Sequence, residues 1–133
     1  MKSGFKEDMK KILIVEDDEA IRTTLRMALE MEGYFVVTSN NGEEGLRTLR
    51  AMSSPCLVLL DLMMPVMSGW DFLEAKKRDD HIATIPVLVT SAVADKVDPK
   101  TMAGIMKKPI DLDALLAFVK NFCASGNLPE IPS

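Results

Sequence analysis

The sequence predicts an α/β domain, a doubly wound parallel sheet with helices on both faces, and three observations carry that expectation. The runs Ile12-Leu13-Ile14-Val15, Leu57-Val58-Leu59-Leu60 and Val87-Leu88-Val89 are aliphatic without alternation, the pattern of strands buried on both faces. Segments with apolar residues at helical spacing separate them, as a parallel sheet requires. The runs also stop abruptly on polar residues: Glu16 and Asp17, then Asp61, then Ser91, then Lys108 after Ile105-Met106-Lys107. Parallel strands share one end, so these five residues are expected together at the carboxyl edge of the sheet, where open α/β sheets hold their ligands.

Taken in order, Ile21, Leu25, Ala28 and Leu29 place the first helix over Asp18–Met31, and Gly33 supplies its left-handed stop. Tyr34 to Val37 reads as a short strand, Asn40-Asn41-Gly42 as a turn, and Glu43 to Met52 as a second helix with Leu46 and Leu49 inward. Cys56 opens the third strand. Ser68-Gly69 opens a third helix that carries Trp70, Phe72 and Leu73, with Lys76-Lys77-Arg78 solvated on its outer side where cations suit the helix end. Pro86 starts the fourth strand. Asp111 is a good N-cap for the last helix, which is expected to bury Leu112, Leu115, Leu116, Val119 and Phe122 and to end at Ser125-Gly126.

The connection before the fifth strand is short. Sixteen residues, Ala92 to Lys107, separate Ser91 from Lys108, and a strand of roughly four leaves about a dozen for the crossover, close to the minimum. One or two helical turns at Pro99 to Ala103, capped by Asp98, or an irregular loop are expected there.

A chain of 133 residues with 47% hydrophobic content makes one domain, divided into a flexible N-terminal extension 1–9, a folded domain 10–124 and a short tail 125–133. The net charge of −4 argues against a nucleic-acid partner. Neither a signal-like N-terminus nor a run of membrane-spanning length is present, so a cytoplasmic protein without a membrane partner is expected. Cys56 and Cys123, far apart in sequence, read as reduced core thiols rather than as a disulfide or metal pair. His81, the only histidine, reads as a solvent-facing loop residue, and Met63-Met64 as packing.

The chemistry of the strand ends is more specific. Crowded carboxylates repel one another, and a hard divalent cation with oxygen ligands relieves them; Mg2+ suits an open acidic site beside a lysine. Lys108 would neutralise a phosphoryl oxygen, the Ser91 hydroxyl would donate to another, and a carboxylate could then act as the nucleophile and form an acyl phosphate.

From Lys10 to Cys123 these residues resemble the response-regulator receiver domain of two-component signalling. The resemblance rests on Ile12 to Asp18, on Leu59-Leu60-Asp61-Leu62-Met63-Met64-Pro65 with Ser68-Gly69, on Pro86 to Ala92, and on Lys108-Pro109. It implies a flavodoxin-like five-stranded sheet of order 2-1-3-4-5, with the helix between strands four and five shortened or absent. It implies Asp61 as phospho-acceptor and a Mg2+ site of Glu16, Asp17, Asp61 and the backbone carbonyl of Met63, with Asp17 binding directly and Glu16 through water. Ser91 and Lys108 would bind the phosphoryl group and switch, the peptide before Pro109 would be cis, and the partners would be a sensor histidine kinase or histidine phosphotransfer protein and an unknown downstream protein.

On this reading the chain is a stand-alone, monomeric receiver without nucleic-acid or membrane partners, an enzyme only in assisting its own phosphorylation and dephosphorylation. Ile105 departs from the family, which commonly has an aromatic switch residue there. Two alternatives are a degenerate receiver acting as a phosphorylation-independent interaction module, and an aspartyl-phosphate phosphatase of the haloacid-dehalogenase type. The second needs another aspartate two residues beyond the nucleophile, where this chain has Met63.

Overall fold

The computed structural model describes residues 9–92 and 102–124, and within them five strands and four helices follow in the expected alternation. The strands are β1 (Lys11–Val15), β2 (Phe35–Ser39), β3 (Leu57–Asp61), β4 (Val87–Ser91) and β5 (Gly104–Lys107); the helices are α1 (Glu19–Met31), α2 (Gly42–Ala51), α3 (Gly69–Lys77) and α4 (Leu112–Cys123). All the strands are parallel, in the order β2-β1-β3-β4-β5. The predicted fold class and strand order both hold.

The period of two along each strand splits the core into two layers. Ile12, Ile14, Leu57, Leu59 and Leu88 face Leu25 and Leu29 of α1 and Leu115 and Val119 of α4. Leu13, Val15, Val58, Leu60 and Val89 face Leu46 and Leu49 of α2 and Phe72 of α3. Each helix starts on a side-chain oxygen that accepts a backbone N–H in the first turn: Asp18, Asn41, Ser68 and Asp111. These caps fix where each helix leaves the carboxyl edge of the sheet. Asn41 sets α2 one residue earlier than the turn signal suggested, and β2 runs on to Ser39.

Two expectations about the interior are corrected. Lys76 is not on the outer side of α3: it is buried, and its Nζ donates to the carbonyl of Ala83 at 2.8 Å. Its long stem lies under the α3–β4 connection while Lys77 and Arg78 keep to solvent, a distinction that a run of three cations hides. Cys56 and Cys123 are not free thiols but form a disulfide, with Cα atoms 5.7 Å apart across a sequence separation of 67. Cys56 precedes β3 and Cys123 ends α4, and both join the core layer beneath α1 and α4. Only the docking of α4 brings them together.

Burial lowers the Lys76 pKa to about 8. The unfolded chain keeps this proton to higher pH than the folded protein does, so stability rises as pH rises between about 8 and the ordinary lysine value of 10.5. The thermal-midpoint advantage of Lys76→Met over the wild type is therefore expected to shrink between pH 7 and 9.5, and a pH-independent difference would refute the assignment.

The expected helical turns at Pro99 to Ala103 fall almost wholly outside the described residues, which resume with Met102 and Ala103 as a bend leading into β5. The N-terminal extension and the tail also lie outside them, apart from Met9.

Candidate functional site

The carboxyl edge of the sheet gathers the polar strand ends. Asp61 closes β3 and is buried, and Glu16, the residue after β1, is buried beside it. Asp17 is exposed above them. A carboxylate oxygen from each of the three lies within 4.8 Å of the others. Lys108 follows β5, and its Nζ sits 3.0 Å from Glu16 Oε1 and 3.2 Å from Asp61 Oδ1. The second Glu16 oxygen accepts the amide of Asp18 at 3.1 Å, and the Met63 amide donates to the Asp61 carboxylate. Met63 itself projects into solvent, which corrects the expectation that it serves as packing, whereas Met64 does pack against the core.

Ser91 ends β4 and is fully buried, and its carbonyl accepts the Lys108 amide at 3.0 Å. Thr90 pairs with Asp61 across the β3–β4 ladder and lies within the strand. The peptide between Lys108 and Pro109 is cis. Ile105 is half-buried, opposite Val89 in the β4–β5 register and packed in the layer that contains Phe72. A groove of about 560 Å³ runs beside the site between α1 and the start of α4, lined by Ile21, Leu25, Pro109 and Ile110.

Burial raises the Asp61 carboxyl above its usual range, assisted by the charge of Asp17 and opposed by Lys108 and the Met63 amide. Burial likewise raises Glu16, against the hydrogen bonds from Lys108 and Asp18. For Lys108 burial works downward, but the two carboxylates outweigh it and hold the ammonium above its ordinary value. One ammonium thus faces three carboxylates. An all-oxygen donor set with this excess of negative charge fits Mg2+.

Three contributions escaped the sequence reading, two of them from glycines that it had named only at a turn and a helix start. Arg22 reaches back from α1, its NH1 donating to the carbonyls of Glu16 at 2.9 Å and Asp17 at 3.4 Å, and so holds the backbone of the acidic pair. The available signal was an arginine one turn into the helix that follows strand-end acids. Gly69 lets α3 approach the end of β3: a Cβ there would overlap the Asp61 carbonyl and come 2.6 Å from Leu62 Cα. Gly42 similarly allows contact with the Met67 carbonyl, which accepts its amide at 3.3 Å and pins the loop after Asp61 to α2.

Because Arg22 bonds neutral backbone carbonyls rather than the clustered carboxylate oxygens, its loss disturbs geometry more than charge. Arg22→Ala is expected to weaken Mg2+ binding on the order of 10-fold by calorimetry, as removal of outer-shell supports does, with Arg22→Lys intermediate. Tighter binding would show that the removed positive charge dominates.

Residues 12–120 match the protein family described as the response regulator receiver domain. The chain is 35% identical over 117 residues to the DNA-binding dual master transcriptional regulator RpaA of Synechocystis sp., a match that covers 84% of this chain and 48% of that protein. The structure superposes on a CheY-like response regulator receiver domain protein from Methanospirillum hungatei with a TM-score of 0.77 at 25% identity, covering 89% of this chain and 96% of that one. The receiver domain of the sensor histidine kinase PA1611 from Pseudomonas aeruginosa, solved with magnesium in its active-site cleft, shares the fold at a TM-score of 0.75 and 21% identity, covering 84% of this chain and 95% of that one.

Other curated relatives are also named as transcriptional regulators, and the chain spans about half of their length or less. These relatives overturn the expectation of a stand-alone protein without a nucleic-acid partner. The net charge of −4 describes only this chain, whereas the DNA-binding regulator it matches is about twice as long.

Proposed function

Since the chain belongs to the response regulator receiver domain family, we propose that Asp61 accepts a phosphoryl group from a phosphohistidine donor. In the transfer an Asp61 oxygen attacks phosphorus, the P–N bond breaks as the acyl phosphate forms, and the departing imidazole nitrogen takes a proton. The observation that carries this reading is Lys108 Nζ standing between Glu16 and Asp61, in reach of both. An incoming phosphoryl oxygen offers the ammonium a stronger partner than either carboxylate, and the Ser91 hydroxyl, at the end of the neighbouring strand, would donate to another oxygen. Glu16, Asp17, Asp61 and the Met63 carbonyl would hold Mg2+, which when bound neutralises phosphoryl charge.

The relatives' names link such domains to transcription, and the reading for this chain is that the phosphoryl state of Asp61 is passed to a transcriptional output. With Ile105 in place of an aromatic, the response would run through repacking of β5 against Val89 rather than through the swing of a ring. Phosphatase turnover is disfavoured because Met63 occupies the position of the required second acid.

Incubation with Mg2+ and acetyl phosphate is expected to add one phosphoryl group by intact-mass analysis, and EDTA is expected to prevent it. Equal incorporation in EDTA would refute the metal-assisted reading, and no incorporation under either condition would refute phosphoryl acceptance.

A further inference from the structure

The phosphoryl site leaves one reactive element unused, the Cys56–Cys123 pair. It comprises both cysteines of the chain. Cys56 lies at the amino edge of the sheet, where its amide donates to the Lys11 carbonyl at 2.8 Å. Cys123 sits in the last turn of α4, without solvent exposure, while Cys56 is partly exposed. The bond encloses Asp61, Ser91 and Lys108 in one covalent ring and leaves Glu16 and Asp17 outside it.

The two ends of that ring do different things. From Cys56 to Asp61 is five residues of extended chain, about 17 Å at strand rise, so sulfur chemistry at the amino edge does not touch the acidic cluster. At the other end, α4 is held by Leu115 and Val119 in its first two-thirds and by Cys123 alone among the fully buried positions of its last turn. Opening the bond therefore loosens the end of α4 and leaves its start, next to Lys108, in place.

We propose that Cys56–Cys123 is a reversible thiol–disulfide site at which a small-molecule thiol and its disulfide set how firmly the end of α4 is fastened to the sheet. In the reductive direction a thiolate of the small thiol attacks the sulfur of Cys56, the accessible partner, and expels Cys123 as a thiolate that takes up a proton. A second small thiol resolves the mixed disulfide, releasing Cys56 and leaving the small molecule as its disulfide. Two electrons and two protons enter the protein, and oxidation reverses each step. Because the bond constrains a long loop of the unfolded chain, the oxidised form is also the more stable one.

The test equilibrates the native protein, without oxygen, in mixtures of reduced and oxidised glutathione, then counts alkylated cysteines by mass and follows hydrogen exchange over residues 112–124. The expected result is a single transition between no and two alkylated cysteines. It should be accompanied by exchange at least roughly ten-fold slower in the last turn of the oxidised helix and a thermal midpoint higher by roughly 10 °C. Phosphoryl incorporation from acetyl phosphate should change less than about two-fold between the forms, given the separation along β3.

Thiols that stay alkylatable in the most oxidising mixture would overturn the proposal, as would a disulfide that persists in the most reducing one or identical exchange in both forms. A Cys56→Ala/Cys123→Val variant, which keeps the positions apolar, should exchange like the reduced form in every mixture. A glutathione dependence surviving in that variant would assign the effect to something other than this pair.

Discussion

Asp61→Asn is expected to abolish phosphoryl incorporation, at least about 100-fold below the wild type, and at the same time to raise the thermal midpoint. The loss follows from chemistry, since an amide oxygen is no nucleophile for phosphorus. The gain follows from the surroundings. Burial raises the pKa of both Asp61 and Glu16, so each charged carboxylate opposes folding at neutral pH. Asparagine removes one charge and keeps an oxygen for Lys108, and a relief on the order of 1 kcal/mol corresponds to about 4 °C for a domain of this size.

The sign of the pH dependence follows. A carboxyl whose folded pKa is raised contributes its full stability below the unfolded value and loses it as pH rises through the folded value. Metal-free wild type should accordingly gain stability as pH falls from neutrality toward the carboxylate range, and Asp61→Asn should gain less. Mg2+ should stabilise the wild type at pH 7 and progressively less in acid, where protons already neutralise the cluster. Calorimetric scans across pH, with and without Mg2+, check all of this. An Asp61→Asn protein less stable than wild type at neutral pH would mean that the carboxylate strengthens the fold through Lys108 rather than straining it.

Gly69→Ala is expected to cost about 3 kcal/mol, roughly 10 °C in thermal midpoint, although it adds one methyl group on a helix where alanine is the better former. The new carbon would overlap the backbone carbonyl of Asp61 and the backbone of Leu62, neither of which can swing aside as a side-chain tip would. Relief requires α3 to back away, which breaks the Gly69 amide bond to the Leu62 carbonyl at 2.9 Å and shifts the loop that carries Met63. Mg2+ affinity and phosphoryl incorporation should fall with stability. A Gly69→Ala protein with wild-type melting and wild-type Mg2+ affinity would show that the contact between α3 and β3 gives way easily.

The elements legible in the sequence were those whose signal is local. Unbroken aliphatic runs gave three of the strands because a parallel sheet buries both faces, and Asp18, Ser68 and Asp111 announced helix starts because capping uses a side chain within one turn. The acidic cluster and Lys108 were legible because parallel strands share an end, so position within a run substitutes for distance in space. Contacts made only by tertiary docking were not legible. The Cys56–Cys123 bond depends on where α4 lands, the turning-under of Lys76 depends on a carbonyl in the next loop, and Arg22 bonds backbone oxygens that carry no residue-type signature. Charge misled on partners for a different reason, being a property of this chain while the DNA binding named for one relative belongs to a protein about twice as long.

Lys108 has a mechanical consequence as well as a chemical one. Its amide is tied to the end of β4, its side chain spans to the ends of β1 and β3, and its own backbone continues β5 into the turn before α4. Four strands therefore converge on a single residue, which serves as the knot in a net. Any event that pulls its ammonium away from Glu16 would change the tension on β4 and β5 together, because the residue that meets the charge is joined directly to the end of β5 and hydrogen-bonded to the end of β4.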